Sequence, residues 1–220
     1  MNAYVQPHFI QHCIFLADFA VDALIAEVNL TPKPALVDRR GSGAHQDLSL
    51  ALMERSAHSL HPMFVAMAQA AFKHRSCSLA LREAIGEIGR VGEATMLHTT
   101  EGVNTHRGAI WALGLMVTAA ALSSLNAKSV RATELCQLAG KLAQLEDRFI
   151  PKQALSHGQQ VQQKLGVRGA KAQAQQGFPA IVQFGLPELH KSRQAQGNES
   201  TARVDALLAM MTTLEDTCVL

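Results

Sequence analysis

With 220 residues the chain can bury one good core, whereas two domains would each fall near the lower end of the usual size range. Apolar residues make up 48% of it and aromatics only 5%, so the core must come mainly from Ala, Leu, Val, Ile and Met, a mixture that favours packed helices over sheets. A formal charge of +2 excludes a surface that serves as a whole as a nucleic-acid or membrane receptor, which leaves small molecules as the expected partners.

Met1 to Phe9 lacks the basic-then-apolar character of a secretory leader. From about Gln11 to Leu30, Ile14, Phe15, Ala17, Leu24, Ile25 and Val28 recur at helical spacing with Asp18, Asp22 and Glu27 between them, which predicts a first amphipathic helix. Thr31-Pro32-Lys33-Pro34 stops it, because each proline disfavours helical geometry before it and has no N–H to donate. A loop continues through Gly41-Ser42-Gly43. Helical patterning resumes near Asp47, breaks around His61-Pro62, and goes on as Met63 to Phe72 and Leu79 to Met96. His98 to Asn104 is a second loop.

Between Arg107 and Lys128 lie 20 residues without charge, long enough to span a bilayer. Ser123, Ser124, Asn126 and many alanines dilute the stretch, so it reads as a buried central helix and no membrane is expected. A helix from about Val130 to Leu145 ends before Pro151. Gly166, Gly169 and Gly177-Phe178-Pro179 punctuate a more polar region, and helices near Ile181 to Ala195 and Thr201 to Leu214 close the chain. With no alternating strand pattern and no repeat of constant period, the fold class is all-α, a single-domain multi-helix bundle. Cys13, Cys77, Cys136 and Cys218 show no paired spacing of zinc ligands or redox motifs, and they read as reduced thiols of a cytoplasmic protein.

Two polar interruptions stand out, Thr31 to Asp47 and Gly102 to Gly108. The first, TPKPALVDRRGSGAHQD, gathers Lys33, Asp38, Arg39, Arg40, His45 and Asp47 in a chain that averages 17% charge. Cations neutralise phosphate oxygens, while carboxylates hold magnesium or abstract protons; a plain solvated turn is the competing reading. The second places Asn104, Thr105, His106 and Arg107 at the start of the uncharged helix, where backbone amides attract anions, or where Asn104 or Thr105 simply caps the end. Upstream, Gly86, Gly89 and Gly92 recur at three-residue intervals, which suits close helix approach, and Glu93 is a candidate for the same pocket. His157, Lys171 and Glu215-Asp216 complete the polar candidates. The phosphate loop, the dinucleotide fingerprint, the zinc helix and the serine-hydrolase elbow are all absent.

TPKPALVD with GAHQD, then GVNTHRG before an apolar helix, then SHG, GFP and EDTCVL, stand in one order from about Ala20 to Leu220. This pattern resembles the triphosphoribosyl-dephospho-coenzyme A synthase family, its malonate decarboxylase branch more than its citrate lyase branch. The resemblance implies an all-helical transferase that joins ATP to 3'-dephospho-coenzyme A and expels adenine. Its product is the prosthetic-group precursor of the acyl carrier protein of malonate decarboxylase. Attack of one ribose 2'-hydroxyl on the anomeric carbon of the other needs a base, help for departing adenine, and cations around the triphosphate.

On that reading Asp38, His45, Asp47 and His106 are the catalytic candidates. Lys33, Arg39, Asn104, Thr105, Arg107, His157 and Lys171 bind substrate, and Glu93 and Asp216 hold magnesium. The chain departs from the family pattern at Lys171 and Gln173, where Arg and Glu are expected, and at Cys218, where citrate-branch members have Asn. Lys171 keeps the charge without the bidentate fork. In the family the motif at Leu220 continues into a His-Arg-Gly-Gly stretch, so residues 1–220 are expected to be one transferase domain truncated at its C-terminus. An exposed apolar end could then drive homo-oligomer formation. The alternatives are a catalytically inactive nucleotide-binding helical protein, an ADP-ribose or phosphate hydrolase, and an adaptor for an acyl carrier protein.

Overall fold

The computed structural model describes residues 7–125, 129–150 and 170–214. Helix α1, Pro7–Asn29, turns Cys13, Ala17, Ala20, Val21, Leu24 and Val28 inward, the spacing of a single helical stripe. That stripe lies on α3 and, more lightly, on α2 and α5. Helix α2, Leu50–Ser59, starts later than the pattern near Asp47 suggested, because the Ser49 hydroxyl accepts from the Leu52 N–H at 3.3 Å and caps it there. Helix α3, His61–His74, carries Pro62 in its first turn, where the missing N–H has no partner to lose; the expected break is a start. Arg75, at φ 59°, ends it.

Helix α4, Leu79–Thr99, is capped by Ser78, and α5, Arg107–Ser124, is the expected uncharged helix. Helix α5 packs against α1, α3, α4 and α6, which gives its apolar surface protein neighbours. Helix α1 is likewise long and apolar enough to cross a membrane, a property that composition had singled out only for α5. Helix α6, Ala132–Gln144, lies on α5. Helix α7, Ala170–Gln175, lies on α6; a π-helical turn, Ala180–Gly185, runs directly into α8, Leu186–Gln196, and α9, Glu199–Met211, folds back on it. No strand occurs among the described residues, whose one bridge joins Asp38 to Gly41.

The fully buried Leu60, Phe64, Leu81, Met96, Leu115 and Leu142 centre one core, each side chain contributing roughly 1.5–3 kcal/mol of burial. The glycine spacing on α4 has the predicted use at two of its three positions. A Cβ on Gly92 would stand 2.2 Å from Met63 Sδ, and one on Gly89 would meet Met67 at 3.4 Å, so α3 presses its methionines into α4. Gly86 differs: the space where its Cβ would be is filled by the Asp147 carboxylate, 2.0 Å away.

Candidate active site

The first interruption is ordered by its own charges. The Asp38 side chain is 3% exposed; its Oδ2 accepts from the Lys33 backbone N–H at 2.9 Å and from Arg40 Nε at 2.9 Å, while Oδ1 accepts from the Arg40 N–H at 2.8 Å. The Arg40 hydrogen bond first, with the two amides, holds the carboxyl well below the usual carboxylate range against the opposing effect of burial. Lys33, expected at a phosphate, is instead turned inward: 2% exposed, it donates through Nζ to the Glu27 carbonyl at 2.8 Å and to Glu27 Oε1 at 2.5 Å. Arg39 is exposed and donates through Nε to Asn29 Oδ1 at 3.1 Å. Val37 pins the loop from below, packing with Val28 and Met53. Gly43, at φ 62°, permits a close return, since a Cβ there would stand 2.4 Å from the Ala35 carbonyl oxygen. His45 is half-buried and Asp47 exposed, and among the described residues neither side chain has a hydrogen-bond partner.

The second interruption hangs from α2. Ser56 Oγ, buried on that helix, lies 2.6 Å from Thr105 Oγ1 and 2.8 Å from His106 Nδ1. His106 is 5% exposed, and burial pushes its imidazole down to about 4, so the ring is neutral at physiological pH. The hydroxyl chain can run in either sense. When Thr105 donates to Ser56 and Ser56 to Nδ1, the ring carries its proton on Nε2; when Nδ1–H donates to Ser56, Nε2 offers a lone pair. Nε2 itself has no hydrogen-bond partner among the described residues. Asn104 Oδ1 accepts from the Arg107 N–H at 3.2 Å, the first N–H of α5, although the N-cap position itself falls to His106, which makes no side-chain cap, and not to Asn104 or Thr105. Arg107 Nε donates to Glu93 Oε1 at 2.6 Å, which brings Glu93 to this loop as anticipated but as a partner of Arg107.

Helix α2 therefore ties the two loops together. On one side Ser56 holds Thr105 and His106; on the other Glu54 Oε1 accepts from Asn29 Nδ2 at 2.7 Å, and Asn29 in turn holds Arg39. No hydrogen bond or ion pair directly joins a candidate of one loop to a candidate of the other among the described residues. Lys171 stands apart, exposed on α7 beside Arg82, Trp111 and Asp147. Gln173, where a carboxylate was expected, accepts through Oε1 from the Ala180 N–H at 3.4 Å and so steadies the start of the π-helical turn. His157 and Asp216 lie outside the described residues.

Among the described residues no three His, Cys, Asp or Glu side chains converge as a metal cage. Magnesium needs less than that, since it keeps several waters and takes one or two carboxylates plus substrate phosphates. Asp47 is exposed and unpaired among the described residues and fits that modest role; Glu93 fits it only by yielding Arg107.

The order of these loops and helices meets a family model: residues 13–220 match that of ATP:dephospho-CoA triphosphoribosyl transferase. The chain belongs to this family. It is an enzyme, a transferase. A protein of Pseudomonas fluorescens (strain Pf0-1), named "probable 2-(5''-triphosphoribosyl)-3'-dephosphocoenzyme-A synthase", is 59% identical over 216 residues, 98% of this chain and 73% of that one. A protein of the same name from Pseudomonas savastanoi pv. phaseolicola is 60% identical over 205 residues, 93% of this chain and 69% of its own length. Another from Azotobacter vinelandii is 57% identical over 204 residues, again 93% and 69%. No solved structure matches the chain.

Within this family frame the side chains that organise the site are partly ones that the sequence did not single out. Ser56 and Glu54 sit in an ordinary helical pattern, and only the arrival of Thr105, His106 and Asn29 from elsewhere gives them a task. Arg40 was legible as a cation in the loop, and its role as the clamp on Asp38 comes from the tight Asp38–Gly41 turn.

Proposed function

We propose that the chain transfers the triphosphoribosyl group of ATP to the 2'-hydroxyl of 3'-dephospho-coenzyme A, with release of adenine. The observation that carries this reading is the attachment of both family loops to α2, through Ser56 on one side and Glu54 on the other. In the reaction the 2'-oxygen forms a bond to the anomeric carbon of the ATP ribose as the bond to adenine breaks. The hydroxyl proton goes to a base, adenine leaves with the bonding electrons and gains a proton, and the triphosphate stays on its ribose.

The residues divide accordingly. Asp38 organises the loop, because its acceptor sites already face Lys33 and Arg40 and its low basicity suits it poorly to proton abstraction. Asp47 and His45 are the loop's candidates for the base. His106, neutral and oriented through Nδ1, presents Nε2 to a ribose hydroxyl or to the departing adenine. Arg39 and Arg107, both exposed, meet phosphates, and Asn104 and Thr105 orient the ligand. Magnesium, when bound, would neutralise triphosphate charge, with Asp47 and Glu93 as the side chains able to hold it. The product would supply the acyl carrier protein of malonate decarboxylase, in the cytoplasm.

The test is the leaving group. ATP and 3'-dephospho-coenzyme A with magnesium are expected to yield free adenine in step with product, and neither phosphate nor diphosphate. Release of diphosphate in place of adenine would show that a different bond is broken.

A further inference from the structure

Away from both loops, a cavity of about 360 Å³ opens between α4, α5, the end of α6 and α7, with Arg82, Trp111, Leu145, Asp147, Lys171 and Gln175 on its wall. Arg82 is 5% exposed, and its guanidinium lies 5.0 Å from the centre of the Trp111 ring. Asp147, equally buried, is well supplied: Oδ2 accepts from Arg90 Nη1 at 2.6 Å and faces Arg82 Nη1 at 3.7 Å, while Oδ1 accepts from the Phe149 N–H at 2.9 Å. The opposite holds for two donors. Arg82 Nε and Trp111 Nε1 are buried and have no hydrogen-bond acceptor among the described residues. Buried N–H groups without acceptors are rare in folded proteins, and here both belong to side chains on the wall of one cavity. The charged side chains on the wall are Arg82 and Lys171 against Asp147 and Glu146, with Lys171 exposed, while Arg90, which does not line the cavity, pairs with Asp147. The missing partner is an acceptor; with Asp147 already engaged by Arg90, the cations Arg82 and Lys171 on the wall favour an anionic one.

We propose that this cavity is a phosphoryl-binding subsite, in which Arg82, Trp111 and Lys171 donate to phosphate oxygens of a nucleotide substrate. The assignment rests on the transferase reading above and deepens it. Trp111 lies one helical turn beyond Arg107 on α5, about 6 Å along the axis, so a polyphosphate held at Arg107 can reach both places. It also gives Lys171 a place that neither loop provides.

Trp111 is the only tryptophan of the chain, so its emission reports on this cavity and on nothing else. Inorganic diphosphate is expected to shift that emission saturably, and adenosine to leave it unchanged. Lys171→Glu, a charge reversal at an exposed position, is expected to weaken diphosphate at least about tenfold without altering helix content. ATP and 3'-dephospho-coenzyme A, each as competitor, then tell which substrate's phosphate occupies the cavity. The proposal fails if diphosphate leaves the emission unchanged, if adenosine shifts it equally, if Lys171→Glu binds as the parent does, or if neither substrate competes. Adenine release, followed separately, keeps the two readings apart. Adenine formed without a diphosphate response overturns the subsite alone, whereas a diphosphate response without adenine overturns the reaction alone.

Discussion

Asp38 and His106 are both buried ionisable groups, and their neighbours drive them to opposite charge states. Asp38 is surrounded by donors and stays an anion; His106 is surrounded by apolar chain and one hydroxyl and stays neutral. Asp38→Asn keeps the shape but must turn an N–H₂ group towards a donor, Arg40 or the Lys33 amide. Adenine release should fall at least about a hundredfold, the usual consequence of misplacing reacting groups by an ångström, while circular dichroism keeps its helical intensity. A near-normal rate would mean that the loop does not need this clamp. For His106 the sign follows from its depressed value. The unfolded chain binds the proton near 6.5 and the folded one only near 4, so between those values the unfolded state holds more protons. This contribution is complete above pH 6.5 and is lost on acidification towards 4, on the order of 3 kcal/mol in all. Urea midpoints measured across that range should drop in the parent and drop less in His106→Gln; parallel curves would show that the imidazole is not the group titrating.

The helices were legible in proportion to their regularity. Leu79 to Met96 and the uncharged run after His106 lie within α4 and α5 to within a turn, because long stripes and capping residues both mark them. Ala170–Gln175 was not anticipated, since AKAQAQ is too short and too uniform to carry a period. The π-helical turn was read as ordinary helix, because nothing in Ala180–Gly185 distinguishes one hydrogen-bond spacing from the other. The candidate site was legible as a list of polar residues and not as directions. That Lys33 points inward depends on Glu27, near the end of α1, and that Ser56 is buried depends on Thr105 and His106, which arrive from the loop before α5. Gly92→Ala and Gly108→Ala separate packing from propensity. Alanine favours helix by up to about 1 kcal/mol at either position, but at 92 it strikes Met63 and at 108 nothing lies within 4 Å. Gly92→Ala should lower stability by roughly 1–3 kcal/mol, and Gly108→Ala should leave it unchanged or raised, as read by denaturant titration.

Across the molecule the core is unevenly shared. The buried cluster runs from α1 to α7 and Phe178, with Ile181 and Val182 packed against it, and it includes no residue of α8 or α9. Those two helices pack chiefly on each other and on the π-helical turn. Hydrogen exchange should accordingly find α8 and α9 opening at lower free energy than α3 and α5; equal protection throughout would mean that the hairpin unfolds only with the rest.

The carboxylate that fills the missing side chain of Gly86 binds two distant positions to one another. Any residue larger than glycine at 86 must evict Asp147, and eviction strands the guanidinium of Arg82 in the interior. Neither position is free to drift alone. Gly86→Ala and Asp147→Ala should each be costly, yet together cost less than their sum, so that the pair evolves as a single character shared by α4 and the segment that follows α6.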